Sequence, residues 1–357
     1  MLIILTGKLT HDRDSFAKIR SDVRNLWIRE FDAGLIEMET TTTELSLRVD
    51  QENLRLLSKT IVWRWLAAAA FDWAVILASI SVSQYFQNPI GWIVAIFVVG
   101  NRQHALAVLM HEGTHFRVCG NRRANDWLSD FLCGYTIFMP TDNYRVFHLA
   151  HHKWLDTPRD PEGRFFKTFP KDASFPQNPL RFIWLVVRDL TGLWPPTSLF
   201  LMSLIWGLEG QKRFHLIPIF LIHSTVAIAT SFAGWLHLYL LFWLLPMVTV
   251  FTATFRFRAM TEHHGIDEAG ESRYCRDAPD VLRTTRSIGG WIGPALFAPH
   301  GINYHLEHHL FPSVPFYNLP QLSRMLATEN PKVFELRVRK DYWAATMECL
   351  DLGRRRD

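Results

Sequence analysis

Hydrophobic and polar positions fall into long blocks along this chain, and four apolar blocks approach the roughly 20 residues that a bilayer crossing needs. They are Ile61 to Val82, Pro89 to Met110, Phe214 to Thr230 and Gly234 to Thr254. They come as two hairpins, and the turns between partners, Ser83 to Asn88 and Ser231 to Ala233, contain no Lys or Arg. The segments outside the hairpins hold nearly all of the basic charge, ending in Arg354, Arg355 and Arg356. Positive charge collects on the cytosolic side, so both termini are expected there. Two further apolar stretches, Trp127 to Met139 and Leu180 to Leu208, break into pieces of about 12 to 14 residues, a length that favours helices lying in the membrane surface. Asp72 falls inside the first span, where a carboxylate is costly, and is expected near its cytosolic end with a hydrogen-bond partner.

Composition supports a membrane chain. Of the 357 residues 48% are hydrophobic, with 26 Phe and 14 Trp, rings that gather where one side is apolar and the other wet. Met1 to Leu5 is too short an apolar start for a signal peptide. The pattern divides the chain into an N-terminal cytosolic segment over 1–60, a membrane and metal-binding domain over 61–330, and a C-terminal cytosolic tail over 331–357. Four cysteines stand far apart with no C-x-x-C pair, which argues against a zinc knuckle or a disulfide framework. The net charge of +4 is too dispersed to point to nucleic acid. What stands out is the count of 16 histidines.

These histidines cluster at the cytosolic ends of the expected spans. His111-Glu112-Gly113-Thr114-His115 ends the second span, and two imidazoles four apart share one face of a helix. His148-Leu149-Ala150-His151-His152 and His305-Leu306-Glu307-His308-His309 repeat an H-x-x-H-H spacing that again gathers rings on one side. A pair, His263-His264, follows the fourth span. One such cluster alone is a weak signal, whereas three together are not accidental. Neutral imidazole suits Fe, Cu, Zn and Ni, and eight or nine clustered rings exceed what one zinc takes, which implies two metals. His104 lies two turns deeper than His111 and reads as a buried hydrogen-bonding residue. His223 and His237 sit too far from the cytosolic ends to share the centre.

The first cluster also satisfies H-E-x-x-H, the zinc-protease pattern in which Glu112 would activate water. That reading leaves the six histidines of the other two clusters unexplained. A metal transporter would place its ligands along the spans, and here they sit at one end.

The three boxes, with the third set in Asn303-Tyr304-His305-Leu306-Glu307-His308-His309-Leu310-Phe311-Pro312, resemble the membrane-bound fatty acid desaturase family of non-haem di-iron enzymes. The likeness spans roughly Pro89 to Leu319 and includes Tyr144-Arg145 and Asp160-Pro161-Glu162 around the second box. It implies an all-α integral membrane protein: four transmembrane helices in two hairpins, with a cytosolic helical cap that holds a di-metal centre. The implied cofactors are two Fe ions with O2 as co-substrate, and the implied substrate is a lipid or fatty acyl chain. Three residues separate the histidines of the first box where many desaturases have four, a spacing shared with some hydroxylating relatives. Desaturation is therefore expected first, with hydroxylation or oxidative decarboxylation by the same centre as alternatives.

The expected ligands are His111, His115, His148, His151, His152, His263, His305, His308 and His309. The choice of His263 over His264 rests on a helix that continues past Thr254 at 1.5 Å per residue, with Phe255, Ala259 and His263 on one stripe. The Glu262-His263 pair followed by Gly265 also resembles the lone-histidine segment of the family. Glu262, Glu307, Asp126 and Asp130 are candidates to orient the rings. The chain has neither an H-P-G-G haem-binding string nor a Gly-rich dinucleotide fingerprint. Electrons are thus expected from an external donor protein of ferredoxin, rubredoxin or cytochrome b5 type.

Overall fold

The computed structural model describes residues 47–162, 175–192, 213–263 and 281–350, which are mostly helical. His264, residues 1–46 of the N-terminal segment, residues 193–208 of the second surface stretch and the tail from 351 lie outside the described residues.

After a short helix α1 (Gln51–Leu57) come α2 (Val62–Phe86) and α3 (Pro89–Thr114), of 25 and 26 residues. At 1.5 Å per residue each is nearly 40 Å long, enough to cross a bilayer core of about 30 Å. The turn between them is local chemistry. Gln87 takes the left-handed conformation (φ 46°), the Asn88 side chain accepts the Gly91 amide, and Pro89 occupies the first turn of α3. The two helices run antiparallel, with the Trp65 indole donating to the Leu109 carbonyl at 3.1 Å.

The second pair is unequal. Helix α7 (Leu216–Phe232) has 17 residues and is apolar but short, whereas α8 (Leu236–His263) runs for 28. Three helices, α2, α3 and α8, are long and apolar enough to cross a membrane. Helix α8 widens into π turns over Leu240–Leu244 and Met247–Phe251, on either side of Pro246, whose missing N–H removes a rung of the ladder. It meets α3 at Gly100, where a Cβ would come within 2.6 Å of Val250 Cβ, so only glycine permits the approach.

Two expectations are corrected here. Asp72 is not near a helix end. It is the eleventh residue of α2 and fully buried, held by Arg102 Nη1 at 3.0 Å and His300 Nε2 at 2.6 Å, so its charge is met by partners at mid-helix. The stretch Trp127 to Met139 does not lie wholly on a surface. Helix α4 (Arg122–Leu132) exposes Trp127 and Phe131, but Cys133, Tyr135, Ile137 and Met139 beyond it are buried against the apolar helices. The irregular backbone there is satisfied by ring donors. Trp73 donates to the Leu132 carbonyl at 2.9 Å, Trp243 to that of Thr136 at 3.1 Å, and His223 Nε2 stands 3.0 Å from that of Tyr135. Buried non-helical backbone is tolerable only with such partners. His223, which has no place in the histidine clusters, does this work.

The remaining α-helices of six or more residues gather around the ends of α3 and α8. They are α5 (Thr141–Trp154), α6 (Pro179–Leu190), α9 (Ile292–Phe297), α10 (His305–Leu310), α11 (Leu319–Glu329), α12 (Pro331–Arg337) and α13 (Tyr342–Glu348). Helix α6 buries Phe182 and Leu185 and exposes Leu180, Ile183, Trp184 and Val187, the two-faced pattern of a helix in a membrane surface. Two short strands, β1 (Ser287–Ile288) and β2 (Val338–Arg339), pair in parallel. Leu57 of α1 packs in one cluster with Leu306, Leu322 and Phe334, and Asn330 bonds both backbone groups of Arg48 at 2.8 Å. Contacts thus join residues on both sides of positions 60 and 330.

Candidate metal centre

The first box closes α3. Gly113 is required there, because a Cβ would stand 2.2 Å from Ser129 Oγ of α4. The last carbonyls of α3, which have no partner within the helix, are taken by Arg145 of α5. Its Nη2 donates to the Gly113 carbonyl at 2.8 Å and its Nε to that of Thr114 at 2.9 Å, while Asp126 pairs with the guanidinium. Arg145 therefore fixes the end of one box to the start of the helix that carries the next. The third box opens α10, where the Leu306 amide donates to Ser287 Oγ of β1 at 3.1 Å. Glu112 points away from the rings and accepts the Phe316 amide at 3.0 Å, which is not the posture of a water-activating base.

All nine expected histidines converge. In one set, the Nε2 atoms of His111, His115 and His152 stand 2.8, 3.0 and 2.9 Å from His148 Nε2, and His308 Nε2 is 3.1 Å from His152 Nε2. In the other, His305 Nε2 is 2.8 Å from His263 Nε2 and 3.1 Å from His309 Nε2. One ring nitrogen each of His151, His263 and His309 lies within 4.8 Å of the others. The sets abut where the rings of His152 and His309 stack at 4.1 Å.

Hydrogen bonds alone do not account for this. A neutral imidazole carries one N–H, yet His148 Nε2 faces three other ring nitrogens at contact distance. Charging the rings is no remedy. Burial first, and neighbouring imidazoles or Arg117 and Arg258 second, hold His115, His148, His152, His305, His308 and His309 well below the usual histidine range. Converging lone pairs on neutral rings are what a cation satisfies. Ring nitrogens 2.8 to 3.1 Å apart stand as close as the ligands of one ion do, and five rings exceed the four ligands of a structural zinc.

Outer partners fix two of the rings. His263 Nδ1 donates to the Thr284 carbonyl at 3.0 Å, which leaves Nε2 as the lone-pair atom. His151 Nδ1 is 3.0 Å from Asp160 Oδ1, with Glu162 Oε2 at 3.5 Å. Of the four carboxylates expected to orient rings, Glu262 comes nearest, its Oε2 3.5 Å from His305 Nδ1 with no hydrogen bond formed between them. Glu307 bonds Ser287 Oγ, Asp126 pairs with Arg145, and Asp130 accepts the Thr141 amide. Asp160, which stands outside those four candidates, is the carboxylate that meets a ring. Its signal was present in the Asp160-Pro161-Glu162 turn nine positions after His151.

Comparison with known proteins agrees. Residues 87–340 match the fatty acid desaturase family, and all nine histidines lie within that span. Among curated relatives, dihydrorhizobitoxine desaturase of Bradyrhizobium elkanii is 27% identical over 72% of this chain and 73% of its own length. The chloroplastic omega-3 fatty acid desaturase of Ricinus communis is 25% identical over 72% of this chain and 58% of its own. The human sphingolipid delta(4)-desaturase/C4-monooxygenase is 25% identical over 63% and 62%. The chain thus spans less than two thirds of the latter two. With clustered neutral imidazoles, long apolar helices and a family match over most of its length, this chain belongs to the fatty acid desaturase family of membrane-associated oxidoreductases.

Proposed function

We propose that the chain carries out O2-dependent oxidation of a lipid acyl chain, desaturation in the first place, at two iron ions. His111, His115, His148, His152 and His308 would hold one, and His151, His263, His305 and His309 the other. The observation that carries this reading is the pair of abutting sets of buried, neutral ring nitrogens, one of them with five members. When bound, two irons supply the reduction of O2 and the oxidation of an unactivated C–H bond, with two electrons from a ferredoxin, a rubredoxin or a cytochrome b5 type partner.

The chain's own residues do the rest. The Thr284 carbonyl and Asp160 accept hydrogen bonds from the Nδ1–H groups of His263 and His151, so that these rings present Nε2. An all-imidazole set adds no charge of its own. Burial of the rings keeps bulk water from the reacting position. The proposed topology is two membrane hairpins, α2–α3 and α7–α8, with both termini and all nine rings cytosolic. Lipid then enters from the bilayer and the donor docks on the basic cytosolic side. The charge-free turns support this arrangement.

The test is mass analysis of lipids from a host with and without the chain, together with metal analysis of the purified protein. New double bonds and about two irons per chain are expected. His308→Ala should lose both product and iron. New hydroxyls in place of double bonds would move the reading to the monooxygenase activity that one relative's name pairs with desaturation. Unchanged lipids with zinc in the centre would overturn it.

A further inference from the structure

Beside the two sets of rings lies a narrow cavity of about 40 Å3, room for about three waters. His111, His148, His151, His263 and His305 of both sets form one wall. Ala107, Val108, Phe255, Ala259 and Ile302 make its sides apolar. Two further polar side chains line it. His104 lies seven residues before His111 on α3, and Arg258 five residues before His263 on α8, and both line the cavity.

Arg258 is only partly satisfied by its neighbours. Its Nε donates to Glu262 Oε2 at 2.7 Å. Its Nη1 stands 3.4 Å from His104 Nε2. Its Nη2 has no hydrogen-bond partner among the described residues, and 12% of the side chain remains accessible. A hydrocarbon end pushed against this fork would strip water from donors and return nothing, a cost an oxygen acceptor avoids.

We infer that the end of the substrate entering this cavity carries a neutral hydrogen-bond acceptor, a hydroxyl, ether or carbonyl oxygen, received by Arg258 with His104 beside it. The inference rests on the di-iron reading and narrows its substrate class. Arg258 Nε and His305 Nδ1 lie 2.7 and 3.5 Å from the same Glu262 Oε2, so the oxygen sits only a few bonds from the oxidised carbon. It is neutral because Glu262 already balances Arg258, and Glu162 lines the same cavity. A carboxylate there would face two acidic side chains and one cation. Saturated chains without oxygen near the reacting carbon are disfavoured on the same ground.

The experiment uses the full-length, iron-loaded protein in one detergent and measures binding of 1-octanol, octanoate and octane by calorimetric titration. Wild type should bind 1-octanol about tenfold to a hundredfold more tightly than octane, the range for a hydrogen bond to a charged group. Arg258→Lys keeps a charge for Glu262 but gives up the fork, and Arg258→Gln removes the charge. Both should bring the ratio to about twofold or less, and the Lys variant should keep its iron. Equal binding of 1-octanol and octane by wild type overturns the inference without reference to any variant. So does tightest binding of octanoate, a preference that survives both substitutions, or no binding of any probe. Continued O2-dependent lipid oxidation in those cases leaves the desaturase reading standing. Loss of the desaturase reading with the 1-octanol preference intact would separate the two the other way.

Discussion

At the scale of single residues, the centre depends on atoms that never touch a metal. Asp160 is fully buried and meets His151 through Nδ1, so it fixes which ring nitrogen is left as a lone-pair donor. Replacing such an outer partner typically costs 10- to 100-fold in metal affinity. Asp160→Ala should therefore weaken iron binding by about that factor in a chelator competition while leaving the helical content unchanged. Equal affinity in the variant would show that Glu162, 3.5 Å from the same nitrogen, holds the ring instead. Residue types explain why Asp160 was hard to find. A carboxylate in a turn is ordinarily a surface charge, and only the likeness of the Asp160-Pro161-Glu162 turn to the family sets it apart from Asp126 or Asp130. Those two are occupied by Arg145 and the Thr141 amide.

At the scale of elements, the two hairpins are built differently. Helices α2 and α3 are joined by a turn that Gln87, Asn88 and Pro89 specify locally, and the buried Asp72–Arg102 pair ties them at mid-length. A pair that deep is stable only because each charge supplies the other's partner, and removing one would leave the other stranded. Helix α7 reaches only 17 residues, about 25 Å, so it spans the full core only if the bilayer thins or the flanking turns share the crossing. The charge-free turns after α2 and α7 make the topology testable. Tags inserted after Asn88 and after Ala233 should both be labelled by an impermeant reagent from outside the cytosol. Protection of both would reverse the orientation, and protection of the second alone would show that α7 and α8 do not form a crossing pair.

At the scale of the whole molecule, the long helices and the short ones around their ends close on a set of rings that must stay neutral. Six of these, His115, His148, His152, His305, His308 and His309, lie outside the long helices and have folded pKa values well below 6.5, chiefly through burial. In the unfolded chain the same groups take up protons near their ordinary pKa, so below about pH 6.5 the unfolded state binds more protons than the folded one. Stability then falls with falling pH and is fully present above that range. The metal-free protein should show a melting temperature that is flat above about pH 7.5 and drops between about pH 7 and 5.5. Metal retention should weaken in the same direction, because protons compete for the lone pairs. A melting temperature that rises on acidification would mean that the rings are charged in the folded state.

Much of this was legible in the chain itself. Blocks of about 20 apolar residues can be read as spans because backbone polar groups in lipid must be satisfied within one helix. Repeated i, i+3, i+4 histidines can be read as clusters because helical periodicity is local. These two features carry the family assignment and the nine converging rings. The sequence could not say that Tyr135 to Met139 is threaded among the apolar helices, that Asp72 is met by Arg102 and His300, or that Asp160 holds His151. Nor could it sort nine rings into sets of five and four. Each of these depends on which distant segments pack together: His300 is 228 positions from Asp72, and His308 is 156 from His152. Periodicity fixes the face on which a residue lies, but only the packed helices decide what that face meets.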